Sequence, residues 1–109
     1  MKRVLFICSQ NRLRSPTAEK IFSNRAGFEV ASAGTHPNTN RIVSAELLEW
    51  ADVVCVMEEE HRNALVEKFE AYLRAKRVVC LNIPDRYPYM DPELIRLLEE
   101  KAGPFFASA

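Results

Sequence analysis

An imbalance of charge is the first thing this sequence lacks. Its 109 residues carry 15 basic and 15 acidic side chains, so nothing global marks it for nucleic acid or for an anionic membrane surface. Any anion site has to be built locally. Long apolar runs are missing too: none approaches the roughly 20 residues that span a bilayer. The opening MKRVLFICSQNR returns to polar residues after five apolar ones, too few for a secretory signal. A cytoplasmic protein is expected. The three cysteines, Cys8, Cys55 and Cys80, are odd in number and show no CxxC spacing, and the two histidines are not clustered. Neither a disulfide framework nor a metal site is implied, and no cofactor is expected. Repeats, linkers and low-complexity segments are also absent. One domain over residues 1–102 is predicted, with 103–109 as an expendable, flexible C-terminal tail.

What is present alternates. Short runs rich in Val, Ile, Phe or Cys at 4–7, 28–32, 52–57 and 77–81 read as strands. Helical segments lie between and after them, at 16–26, 44–51, 58–75 and 92–101. The first has Ser15 as N-cap, Pro16 at its first position and Gly27 beyond its end. The last starts from Asp91 in the same manner. Strand and helix in strict order predict a three-layer α/β/α sandwich around a four-stranded parallel sheet, with right-handed crossovers. Ligands of such folds bind beyond the carboxyl ends of the strands. Cys8 stands at that end of the first strand, and Asp85 follows the fourth by a short loop.

The segment VLFICSQNRLRSPTAE places Cys8 and Arg14 on either side of five residues, Ser9, Gln10, Asn11, Arg12 and Leu13. A loop of that span can curl its N–H groups around a tetrahedral oxyanion while a helix N-terminus adds partial positive charge. It is a phosphate-binding loop in outline. Arg14 adds a planar fork of donors matched to two oxygens. The same surroundings favour a Cys8 thiolate, to which the Ser15 hydroxyl can donate. A thiolate is both nucleophile and leaving group, so it can take up a phosphoryl group and pass it to water.

Spacing alone does not decide the matter, because Cys80 and Arg86 repeat it. There Pro84 lacks an N–H, Asp85 repels an anion, and no helix starts at Arg86. Cys80 and Cys55 are therefore read as packing residues. Trp50 is read as packing, His61 as lying on a solvated helix face with Glu58 to Glu60, and His36 as part of a surface turn with Pro37.

The first loop carries more than a Cys and an Arg. Its C-x-x-N-x-x-R-S-P pattern, met by Cys8, Asn11, Arg14, Ser15 and Pro16, resembles the signature of the low-molecular-weight protein tyrosine phosphatases. SAGT at 32–35, ADVVCVMEEEHRNAL from Ala51 and IPDRY at 83–87 are similar to further family segments, so the resemblance covers nearly the whole chain, as a short member. It implies Cys8 as nucleophile, Arg14 as transition-state clamp and Ser15 as donor to the thiolate. It further implies Asn11 holding the loop in a left-handed conformation, Asp85 as general acid and Tyr87 lining the pocket. Ser9, Gln10, Asn11, Arg12, Leu13, Ser15 and Tyr87 are then the substrate-binding set. Departures from the family pattern are Gln10 for a glycine, Leu13 for a second cysteine and Arg12 for an apolar residue.

Asp91-Pro92 competes for the acid, since the family's acid commonly precedes proline. Asp91 is, however, fully explained as a helix N-cap, and Asp85 stands at the family's distance from the fourth strand. The implied activity is phosphomonoester hydrolysis through a phosphocysteine, on phosphotyrosine proteins or small aryl phosphates, with inorganic phosphate or another oxyanion as the loop's ligand. Neither nucleic acid nor membrane is an expected partner. The alternatives are a thiol-dependent arsenate reductase, which needs further relay cysteines where this chain has Met57, and a non-catalytic phosphate-binding or phosphocysteine-carrier module, for which Arg14 and Asp85 would be superfluous.

Overall fold

A computed structural model describes residues 1–107. Four strands, β1 (Lys2–Cys8), β2 (Phe28–Gly34), β3 (Val53–Val56) and β4 (Arg77–Cys80), alternate with helices α1 (Arg14–Phe22), α2 (Ala45–Trp50), α3 (Glu59–Leu73) and α4 (Pro92–Lys101). All pairings are parallel, in the order β2-β1-β3-β4. This is the expected sandwich. The near-continuous apolar run of β1 is buried on both faces, as a central parallel strand should be. Val4, Phe6 and Cys8 face α1 and α4, while Leu5 and Ile7 face the cluster that includes Leu48 of α2 and Leu65 of α3.

The strand order sets where a ligand can sit. From β1 the chain leaves over one face through α1, and from β3 over the other through α3. Their divergent exits open a crevice at the carboxyl ends of these two neighbouring strands. Cys8 is the last residue of β1.

Two expectations are corrected. Helix α1 begins at Arg14 with Leu13 as its N-cap, two residues before the expected start, and ends at Phe22 rather than at Ala26 before Gly27. Ser15 cannot cap, because its hydroxyl is held against the Cys8 sulfur. Gly27, at φ 85°, instead turns the chain into β2, a conformation glycine adopts without steric cost. The segment after residue 102 is not a free tail as far as it is described. Gly103–Phe106 forms a 3-10 turn, and Phe106 is buried, its ring stacked 4.2 Å from that of Phe22 and 6.2 Å from that of Phe6. Aromatic burial outweighs the turn-forming composition of this stretch. Residues 108–109 lie outside the described part.

Candidate active site

The loop from Cys8 to Arg14 is shaped from outside by the segment that follows β2. Thr35 N–H donates to the Cys8 carbonyl (3.0 Å), His36 N–H to the Ser9 carbonyl (2.9 Å), Asn40 N–H to the Gln10 carbonyl (3.4 Å) and the Asn40 amide to the Asn11 carbonyl (3.0 Å). In a trans peptide the N–H opposes the C=O. Four successive carbonyls drawn toward 35–40 therefore turn the N–H groups of Ser9, Gln10, Asn11 and Arg12 the other way. Gly34 permits the approach: a Cβ there would lie 2.3 Å from Thr39 Oγ1 and 2.6 Å from the Ser9 carbonyl. Asn11 takes φ 54°, the left-handed conformation the resemblance implied.

The loop encloses a cavity of about 540 Å³ lined by Cys8, Ser9, Gln10, Arg12, Leu13, Arg14 and Asp85. Beneath it lies a polar network. Cys8 Sγ is 2.9 Å from Ser15 Oγ, and the Asn11 amide donates to both Ser15 Oγ and Ser32 Oγ at 2.9 Å. Ser32 Oγ in turn donates to Glu19. With Asn11 donating to it, Ser15 keeps its own hydroxyl proton, for which the sulfur at 2.9 Å is a closer acceptor than the Ala33 carbonyl at 3.5 Å. Asn11 and Ser15 thus support the loop from behind and do not line the cavity. Tyr87 does not line it either; the expectation that it would is corrected, since its ring is half-buried against the core.

Arg14 is almost wholly buried, at 2 % exposure, so its charge needs partners. Nη1 donates to Glu58 Oε1 at 2.5 Å and to the Ile83 carbonyl at 2.8 Å. That leaves the Nε–Nη2 edge, the edge from which a guanidinium can donate to two oxygens of one anion. Asp85 Oδ1 stands 3.8 Å from Nε, and this carboxylate is 60 % exposed at the cavity mouth. Asp91 is elsewhere engaged, accepting from Glu93 N–H and Leu94 N–H as the N-cap of α4.

Two residues near the cavity were missed in the sequence. Glu58 was assigned with its neighbours to a solvated face, yet it anchors Arg14. His61 was placed there too, and this is corrected: it is 1 % exposed. Its Nδ1 accepts from Glu58 N–H at 3.0 Å and its Nε2 lies 2.9 Å from Ser9 Oγ. Burial, aided by the nearby Arg14 charge, pushes its pKa down to about 4. The usable signal was the third helical position after a strand end, where a side chain can reach back to the N-cap N–H.

The other thiols are separate from this constellation. Cys55 is fully buried in β3, and burial pushes its pKa up to about 12. Cys80, half-buried at the end of β4, donates to Asn82 Oδ1 at 3.3 Å, and burial raises its pKa as well. Met57 is fully buried. The exposed His36 and half-buried Trp50 are as expected.

The family model of low molecular weight phosphotyrosine protein phosphatase matches residues 3–42, the stretch from β1 through the loop, α1 and β2 to Ile42. Among solved structures the phosphate-bound tyrosine phosphatase Wzb of Escherichia coli K30 superposes with TM-score 0.79, at 18% identity over 96% of this chain and 90% of its own. This is the low-molecular-weight phosphatase fold. The resemblance drawn from the Cys8 loop is borne out. The YwlE arginine phosphatase of Geobacillus stearothermophilus gives TM-score 0.69 at 23% identity, covering 96% of this chain and 95% of its own. A YwlE mutant with a phosphorylated active-site serine gives 0.71 at 23%, covering 94% and 95%. A comparison with curated protein sequences finds no match.

Proposed function

We propose that this protein is a cysteine-dependent phosphatase that hydrolyses phosphomonoesters of the phosphotyrosine class. The observation that carries the reading is the placement of Cys8 and the buried Arg14 on one inward-facing loop, with Asp85 across the cavity. In the first step the Cys8 thiolate attacks phosphorus and the P–O bond to the phenol breaks. The departing oxygen takes a proton from Asp85. In the second, water attacks the phosphocysteine while the Asp85 carboxylate accepts its proton. The P–S bond breaks, restoring the thiolate and releasing inorganic phosphate. Arg14 and the loop N–H groups stabilise the equatorial charge in both. The phosphorylated serine of the YwlE mutant supports a covalent phosphoryl intermediate at the corresponding position.

Phosphotyrosine is favoured over phosphoarginine by charge. The exposed Arg12 lines the cavity together with Arg14, two cations against the single Asp85 carboxylate, and a cationic guanidine leaving group would meet that excess of positive charge. A neutral phenyl ring meets no such repulsion. An arsenate reductase would need a relay thiol, and the fully buried Met57 stands where one was sought.

Hydrolysis of para-nitrophenyl phosphate and a phosphotyrosine peptide is the test. Turnover should be insensitive to chelator, lost in Cys8→Ser and faster on phosphotyrosine than on a matched phosphoarginine peptide. Strict dependence on an added divalent cation would move the protein to another mechanism. A preference for phosphoarginine would overturn the substrate class.

A further inference from the structure

We propose that His61 is a positioning residue that holds the Ser9 hydroxyl as a hydrogen-bond donor toward the bound oxyanion. The inference rests on the phosphatase reading for its ligand, but its geometry stands by itself. The Glu58 backbone N–H can only donate, and it donates to His61 Nδ1 at 3.0 Å. A neutral imidazole has one proton. That proton must then be on Nε2, which lies 2.9 Å from Ser9 Oγ. The nearest competing acceptor, Glu60 Oε1, is 3.8 Å away, beyond hydrogen-bond distance.

The order of donation follows along the chain of contacts. Glu58 N–H donates to His61, His61 Nε2–H donates to Ser9 Oγ, and Ser9 has its own proton left over. Because the imidazole occupies a lone pair of that hydroxyl, the proton is directed to other acceptors. Ser9 lines the cavity between Cys8 and Gln10, so an oxyanion seated in the loop is an acceptor within its surroundings. The arrangement adds a side-chain donor to the N–H groups of the loop.

The charge state is consistent with this role. Arg14 on one side disfavours a proton on the ring, while Glu58, Asp85 and Glu60 favour it; burial decides, and the ring stays neutral through the neutral pH range. His61 therefore neither donates nor takes a proton in the reaction. Its contribution is to fix the direction of a neighbour's hydrogen.

The experiment combines three variants with a spectrum. Ser9→Ala and His61→Phe should each weaken inhibition by inorganic phosphate and lower kcat for an aryl phosphate, by roughly ten- to a hundredfold for one lost bond to a charged group. The double variant should be no worse than Ser9→Ala, because both remove the same donor. His61→Gln should retain most activity: glutamine at this helical position can accept from the N-cap N–H and donate through its amide. Additive losses, or a folded His61→Phe with unchanged phosphate inhibition, would overturn the proposal. Nitrogen NMR of the wild-type imidazole should show the neutral Nε2–H form between about pH 5.5 and 8. An Nδ1–H form, or titration in that range, would overturn it irrespective of any assay. Wild-type protein that shows the Nε2–H form but neither turns over aryl phosphate nor binds phosphate overturns the phosphatase reading, and with it the oxyanion as Ser9's acceptor.

Discussion

At the scale of single residues, the site divides by how far its chemistry travels along the chain. Cys8, Asn11, Arg14 and Ser15 were legible because one loop supplies them and each has a local reason for its type. Asn11 tolerates the left-handed turn, and Ser15, in the first turn of α1, sets its hydroxyl against the sulfur at the end of β1. Glu58 was not legible, since nothing in EEEH says that one of three glutamates will meet an arginine 44 positions earlier. The two candidate acids separate in the same way. Asp91 has both of its acceptor bonds in the start of α4, whereas Asp85 lines the cavity. We predict that Asp85→Asn slows phosphocysteine formation far more for phenyl phosphate than for para-nitrophenyl phosphate, whose more acidic phenol leaves with less help. Single-turnover rates isolate that step. Asp91→Asn should leave both rates largely intact, because Asn caps nearly as well as Asp. The reverse pattern would make Asp91 the acid.

At the scale of elements, boundaries were read from caps, and caps failed where function claimed the residue. Ser15-Pro16 has the composition of a helix start, but with the Ser15 hydroxyl committed to Cys8 the helix opens earlier, at Leu13. The opposite happened at α3. Its N-terminus looked like a plain acidic surface turn, yet His61 folds back to the N-cap N–H and is buried. A buried neutral histidine links stability to pH. In the unfolded chain it titrates near 6.5, and in the folded protein at about 4. Between these values the unfolded state binds the extra proton, so stability is full above about pH 6.5 and falls as pH drops toward 4, by at most about 1.4 kcal/mol per pH unit from this group. Urea unfolding of wild type and His61→Gln should show the stability difference shrinking from pH 7 to pH 5 in favour of the variant. Parallel profiles would mean that His61 titrates alike in the folded and the unfolded chain, so that burial does not hold it neutral.

At the scale of the whole molecule, the alternation of strands and helices was enough to predict the parallel sandwich, because parallel neighbours need a helical crossover over one face, and crossovers leaving to either side of β1 cover both of its faces. The closing turn was not foreseen. GPFFASA has no periodicity, and its aromatic partners lie at positions 6, 22 and 28, visible only once β1, α1 and β2 have assembled. Phe106 covers the α1 and α4 side of the sheet, and its stacking on Phe6 places it over β1 two residues before Cys8. Phe106→Ala should therefore destabilise the protein by about 3 kcal/mol, the usual cost of deleting a buried aromatic ring. The readout is the urea midpoint, which should fall with an unchanged slope. Truncation after residue 102 should cost at least as much. Folded Phe106→Ala should still turn over aryl phosphate, since the carbonyls of the loop are held from 35–40 on the other side and not by the aromatic cluster. A truncated chain with the wild-type midpoint would return residues 103–107 to the status of a tail; a stable variant without activity would show that the stack sets the position of Cys8 itself.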